Sequence, residues 1–130
     1  MTTILVSRCL MGVPCRYHGR TPRGGTPGKP HSRILALMRT GRYQIVDVCP
    51  ECDAGLSVPR PPTRRHGERL VCAGADVTAA FELGAQISLA TAIATGAGTA
   101  YLVRGSPSCD ARSGVTGRLL AAAGVRIVPV

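Results

Sequence analysis

The chain of 130 residues contains no Trp and a single Phe, and only 3% of it is aromatic. That scarcity excludes the aromatic stacking surface on which single-strand nucleic-acid binders lay successive bases. It also means that the core is built mainly from Ala, Val, Leu and Ile. Acidic side chains are few as well. Seven Asp and Glu face sixteen Lys and Arg, fifteen of them Arg, for a formal net charge of +9. Such a balance favours an anionic partner, and with so few aromatics a small anion is favoured over a long nucleic acid. No apolar run reaches the length of a membrane span. The opening "MTTILVSRCL" lacks a basic region followed by an apolar stretch, so it reads as a strand and not as a secretory leader. A reducing, cytoplasmic setting follows as the expectation. There, grouped cysteines are more often metal-binding or catalytic than disulfide-bonded.

Six cysteines are present, at 9, 15, 49, 52, 72 and 109. "TTILVSRC" and "YQIVDVC" are β-branched, apolar runs and read as strands ending near Cys9 and Cys49. "TAYLVRG" is a third strand, followed by Cys109, and "VRIVPV" a last one. "HSRILALMRTG" reads as a helix capped by Ser32, "DVTAAFELGAQISLATAIATGA" as the longest helix, capped by Asp76 or Thr78, and "GVTGRLLAAAG" as another. The Gly- and Pro-rich stretch between the first strand and first helix is a long loop carrying Arg16, Arg20, Arg23 and Lys29. A second Pro-rich loop runs from Pro50 through "PRPP" to Glu68, and "RLVCAG" is a short extra strand or one arm of a hairpin. Cys72, inside that apolar run, is expected to be a buried hydrophobe. His18, His31 and His66 are expected at the surface. Alternation of strand and helix implies an α/β domain, a Rossmann-like three-layer arrangement with a mostly parallel sheet of about four or five strands, in one domain over residues 1–130. In such a sheet the carboxyl ends of the strands line the ligand crevice. Cys9, Cys49 and Cys109, far apart in sequence, therefore converge on one rim.

Three chemistries are open to those thiols. Structural zinc wants four ligands, commonly as two close pairs, and only Cys49 and Cys52 are spaced as a C-x-x-C pair. A redox C-x-x-C opens a helix, and "DAGLSVPRPP" after Cys52 cannot continue as a long one. An iron–sulfur cluster held by three strand-end cysteines would leave one iron open, with Glu51 close by for proton transfer. A zinc- or cluster-stabilised module that binds RNA or another anion without turnover is the alternative in a different functional class.

The segments "ILVSRCLMGVPCRYHG", "VCPECDAGLSVPRPP", "GADVTAAFELGA" and "YLVRGSPSC" resemble, in order, the signature segments of the thiouracil desulfidase family. The resemblance covers most of the chain from residue 4 to 109. It implies a compact α/β domain holding a [4Fe–4S] cluster through Cys9, Cys49 and Cys109, with Cys15 as a substitute ligand. It implies hydrolytic removal of sulfur from a small thiolated pyrimidine base, nucleoside or nucleotide, such as thiouracil, 4-thiouridine or its monophosphate. Related domains act on thiolated nucleosides of transfer RNA. Glu51 would activate water, Ser106 would assist at the substrate with Ser108, and Arg16, Arg60 and Arg104 stand beside the motifs where a substrate phosphate could be held. Departures from the family pattern are Asp110 where Gly is usual, Cys52 where an apolar residue is usual, and a shortened segment after Cys109.

Overall fold

The computed structural model describes residues 1–22 and 25–130; Arg23, counted above among the loop cations, lies outside the described residues. Four parallel strands form the main sheet: β1 (Thr2–Ser7), β2 (Tyr43–Val48), β6 (Thr99–Leu102) and β7 (Arg126–Pro129), in the spatial order β2-β1-β6-β7. The α/β class and the four expected core strands are thus present. β1 is central. Ile4, Leu5, Val6 and Ser7 are all buried, which is why the strand reads as a continuous apolar run and not an alternating one. It pairs with β2 from Thr2↔Tyr43 to Ser7↔Val48 and with β6 from Ile4↔Thr99 to Val6↔Tyr101.

The chain steps from β1 outward to β2 through helix α1 (Ser32–Arg39), then crosses back over β1 to β6 through the long helix α3 (Thr78–Thr95). Helix α4 (Val115–Ala122) then leads on to β7 and packs on α3. With right-handed crossovers, this reversal of direction puts α1 on one face of the sheet and α3 with α4 on the other. The order reverses between β1 and β6, and the crevice that binds ligands in doubly wound sheets opens there, at the carboxyl ends of the strands.

Three local expectations change. His31, not Ser32, caps α1, its Nδ1 accepting from the Arg33 N–H. The stretch read as one Pro-rich loop holds a single helical turn, α2 (Pro50–Asp53), and a strand, β3 (Thr63–His66). β3 forms an antiparallel hairpin with β4 (Arg69–Cys72), which β5 (Ala75–Asp76) extends to a small second sheet. Cys72 sits on this hairpin half-buried, its thiol donating to the Pro61 carbonyl at 3.2 Å, and is not a core residue. Arg64 and Arg65 masked the strand in the sequence, because a two-stranded edge needs no apolar alternation of its own.

The turn of α2 is pressed against α3 at Gly84. A Cβ there would overlap the backbone carbonyl of Pro50. Gly84→Ala therefore sets a helix-propensity gain of about 1 kcal/mol against an overpacking loss of about 1–3 kcal/mol. The obstacle is backbone and cannot rotate away, so the loss wins. The urea midpoint should fall with an unchanged m value, and a raised midpoint would refute the packing argument.

Candidate cluster site

β1, β2 and β6 are neighbours, and each is followed at its carboxyl end by one of the strand-end cysteines. Cys9 lies in the 3₁₀ turn Arg8–Met11 directly after β1, Cys49 follows β2, and Cys109 lies in the loop after β6. All three are buried, as is Cys15, which the long loop folds back onto them. The four line one cavity, whose wall also carries Glu51, Ser106, Ser108 and Arg16. Backbone hydrogen bonds set the loops around it. The Cys15 carbonyl accepts from the Cys52 thiol at 3.4 Å, and the Tyr17 carbonyl from the Arg60 N–H at 2.8 Å. Ser7 ties the sheet together at the cavity floor, its Oγ accepting from the Val103 N–H at 3.0 Å.

The thiols face one another. The hydrogen bond with Cys49 pulls the Cys15 thiol down, but its bond with Cys9 and burial outweigh that and push it up to about 12. Cys49 is raised by its bond with Cys15 and by burial, and burial takes Cys109 up to about 11. Left to themselves these groups stay protonated. A positively charged inorganic centre is what lets several of them be thiolates at once, since bound cations invert the local acid–base logic. The donor set therefore fits an iron–sulfur group, in which each ligated iron takes one thiolate and the thiols surround a cavity instead of a point. Among the described residues, no three Cys, His, Asp or Glu side chains are drawn together as ligands of a single metal ion.

A second network runs through the acidic residue. Glu51 is buried on α2, and its Oε1 pairs with Arg60 Nη2 at 2.8 Å. Its Oε2 accepts from the Ser108 hydroxyl at 2.9 Å. Ser106 Oγ lies 3.0 Å from Ser108 Oγ and accepts the backbone N–H groups of Ser108 and Cys109 at 3.2 and 3.1 Å. Because the Ser108 proton is given to Glu51, the Ser106 proton goes to Ser108. The structure therefore gives Ser106 the work of pinning the turn that presents Cys109.

Two expected phosphate ligands are placed differently from the expectation. Arg60 points inward to Glu51 and, through Nη1, to the Ser57 carbonyl at 2.8 Å. Arg104 is exposed and lines a separate cleft with Asp110 and Arg112. Only Arg16 of the three stands at the cavity with its charge unspent on an acid among the described residues. Arg8 was not anticipated. It clamps the ends of two strands: Nε donates to Asp47 Oδ1 at 2.9 Å and Nη1 to Asp53 Oδ1 at 2.8 Å, while Asp53 Oδ2 accepts the Cys49 N–H at 3.1 Å. The signal in the sequence was the pair of acids flanking the "VCPEC" segment, opposite in charge to the arginine beside Cys9. Tyr17, also at the cavity, was passed over too. Cys52 does not line the cavity.

A doubly wound α/β domain built around buried thiols at its switch point is the class that fold and site define. The comparisons carry this further. The model of the 2-thiouracil desulfurase family matches residues 4–128, and the chain belongs to that family. It is 31% identical, over 150 aligned positions, to the uncharacterized protein YbbK of Bacillus subtilis strain 168, with 96% of this chain and 93% of that protein covered. It is also similar to the solved structure of the [4Fe-4S]-dependent thiouracil desulfidase TudS, with a TM-score of 0.83 and 36% identity over 99% of this chain and 91% of that one.

Asp110, directly after Cys109, builds a scaffold of its own. Its Oδ2 accepts the Gly105 N–H at 2.8 Å and its Oδ1 the N–H groups of Arg112 and Ser113 at 2.9 and 3.1 Å. These bonds, from Gly105 and Arg112 first, hold its carboxyl below the usual carboxylate range. A lowered folded value means that the stabilisation is complete above the unfolded value near about 4 and is lost as pH falls through the folded one. Asp110→Ala should therefore cost about 1 kcal/mol or less at neutral pH, because the group is solvent-screened. The deficit in urea midpoint should shrink at about pH 3, and one that grew in acid would contradict the assignment.

Proposed function

We propose that this chain, as a single desulfidase-like domain over residues 1–130, hydrolytically removes sulfur from a small thiolated pyrimidine: thiouracil, 4-thiouridine or its monophosphate. The observation that carries the reading is the convergence of Cys9, Cys49 and Cys109 from three adjacent strand ends on a cavity that Glu51 also faces. In this reading those three cysteines hold a [4Fe–4S] cluster, and Cys15 serves as the spare thiol. When bound in that way, the cluster supplies one iron without a protein ligand, a thiophilic Lewis acid for the substrate's sulfur. The chain's own residues do the rest. Water adds its oxygen to the ring carbon, the carbon–sulfur bond breaks, and sulfur leaves as sulfide with no net electron transfer. Glu51 takes the proton from that water, held in place by Ser108 and, behind it, Ser106. Arg16 meets the phosphate of a nucleotide substrate. Buried thiols and an oxygen-labile group suit a reducing cytoplasm.

Anaerobic reconstitution should give a brown protein with about four irons and four sulfides per chain. A screen of thiolated bases, nucleosides and nucleotides should then release sulfide. Glu51→Ala should keep iron and colour while sulfide release falls on the order of 10²–10⁴-fold. A colourless protein with stoichiometric zinc, or full turnover without the carboxylate, would sink the reading.

Arg16 separates the substrate forms. Arg16→Ala should raise KM for a thiolated nucleoside monophosphate roughly tenfold, the cost of one charge-assisted contact of about 1.5 kcal/mol. KM for the free base should stay where it was. Equal effects on both would remove Arg16 from phosphate binding.

A further inference from the structure

Among the described residues, Arg60 is the one basic side chain that the fold buries beside the reacting carboxylate. The residue is 9% exposed and Glu51 8%. Three bonds fix it: backbone N–H to the Tyr17 carbonyl, Nη1 to the Ser57 carbonyl and Nη2 to Glu51 Oε1, each at 2.8 Å. Its two terminal nitrogens are therefore committed inside the protein, and it does not line the cavity. A guanidinium so placed points at Glu51 and Ser57 and not into the cavity where a substrate phosphate would lie.

What it does reach is one oxygen of Glu51. The other oxygen is taken by Ser108, which comes from the loop after β6, a different segment of chain. A carboxylate turns easily about its last carbon–carbon bond, and one partner alone leaves that rotation open. Partners on both oxygens, from segments 57–62 and 105–109, fix its plane. The fork geometry of arginine matters here, because a single group must hold the Ser57 carbonyl and the carboxylate at once. Ser108 is fixed in turn by Ser106, whose lone pairs are filled by the N–H groups of Ser108 and Cys109. The carboxylate is thus braced from behind by Arg60 and at its side by the same turn that presents Cys109.

We propose that Arg60 is a positioning residue for desulfidation, acting through Glu51: it holds Oε1 so that the carboxylate stays on Ser108 and at the cavity. The proposal rests on the hydrolytic reading above, and it assigns to Arg60 a role in turnover in place of substrate binding. The structure also leaves Arg60 Nε buried without a partner among the described residues, so the side chain is not held at that point by a hydrogen bond of its own. Its orientation then depends on the Ser57 and Glu51 bonds, which is what makes the pair sensitive to substitution.

A double-mutant cycle on the reconstituted enzyme tests this. Arg60→Gln, Glu51→Gln and the double variant are compared at matched iron, sulfide and visible spectrum. Arg60→Gln should lower kcat on the order of 10²-fold, as misplacement of a catalytic group does, with KM for base and monophosphate nearly unchanged. Arg60→Lys should recover part of that loss. In the Glu51→Gln background, Arg60→Gln should cost nothing further, since two residues acting as a unit are not additive. Losses that multiply in the double variant would overturn the proposal. So would a KM effect confined to the monophosphate, which would return Arg60 to the substrate. Should Arg60→Gln fail to load the cluster, Arg60→Lys against Glu51→Gln closes the same cycle. Anaerobic denaturant unfolding of the four proteins reads the pair without turnover. A stability loss in the double variant smaller than the two single losses together supports the brace, and simple additivity overturns it. A wild-type chain that carries the cluster, shows that coupling and releases no sulfide from any thiolated pyrimidine would refute the hydrolytic reading instead.

Discussion

The site hangs from the carboxyl end of β1. That strand is flanked on both edges and its last four residues are buried, so their backbone is held from every side. Ser7 bonds across to Val103, Arg8 reaches across to Asp47 and Asp53, and Cys9 follows at once. Because the chain leaves β1 in one direction and returns past it in the other, the neighbouring strand ends belong to β2 and β6. Cys49 and Cys109 are therefore brought to Cys9 by topology alone, without any need for closeness in sequence. A change in strand order would scatter the thiols whatever the loops did.

Charge is arranged against the overall balance. The protein is strongly basic, yet four of its seven acidic residues, Asp47, Glu51, Asp53 and Asp110, stand around the cysteine rim. Each of the four has specific partners: Arg8 for Asp47 and Asp53, Arg60 and Ser108 for Glu51, backbone N–H groups for Asp110. The acids here organise backbone and arginine and are not left to repel thiolates. This is the economical way to keep carboxylates beside sulfur anions, because a buried charge without a partner is costly and a paired one is tolerated.

Much of this was legible in the sequence, and the parts that were not have physical reasons. Apolar runs give strands and helices their places. The rule that strand ends form the crevice is enough to group Cys9, Cys49 and Cys109, however far apart they lie along the chain. "RLVCAG" was legible as one arm of a hairpin, but its partner strand at Thr63–His66 was not, since an edge strand in a small sheet carries Arg64, Arg65 and His66 to solvent and shows no period-two apolar pattern. The inward turn of Arg60 was not legible either. From the sequence Arg60 reads as a cation for a substrate phosphate, and only the fold reveals that the "PRPP" segment lies against Tyr17 and α2. The clamp made by Arg8 joins residues 39 and 45 apart in sequence; the acids flanking "VCPEC" signal a cationic partner, but no local pattern says which arginine supplies it.

The same redistribution of arginines bears on the size of the ligand. With Arg60 paired to Glu51, Arg8 to its two aspartates and Arg104 turned to another cleft, the cavity wall retains one uncommitted cation among the described residues, Arg16. A polynucleotide needs a succession of cations that follows its backbone, and its affinity scales with the phosphates neutralised. One cation beside a narrow thiol-lined cavity matches at most one phosphate. Other cations of the chain lie away from the cavity, on the hairpin (Arg64, Arg65, Arg69), on α1 (Arg33, Arg39) and on α4 (Arg118). The geometry of the cavity, more than the net charge that first suggested an anionic partner, is thus what argues for a free base or a mononucleotide.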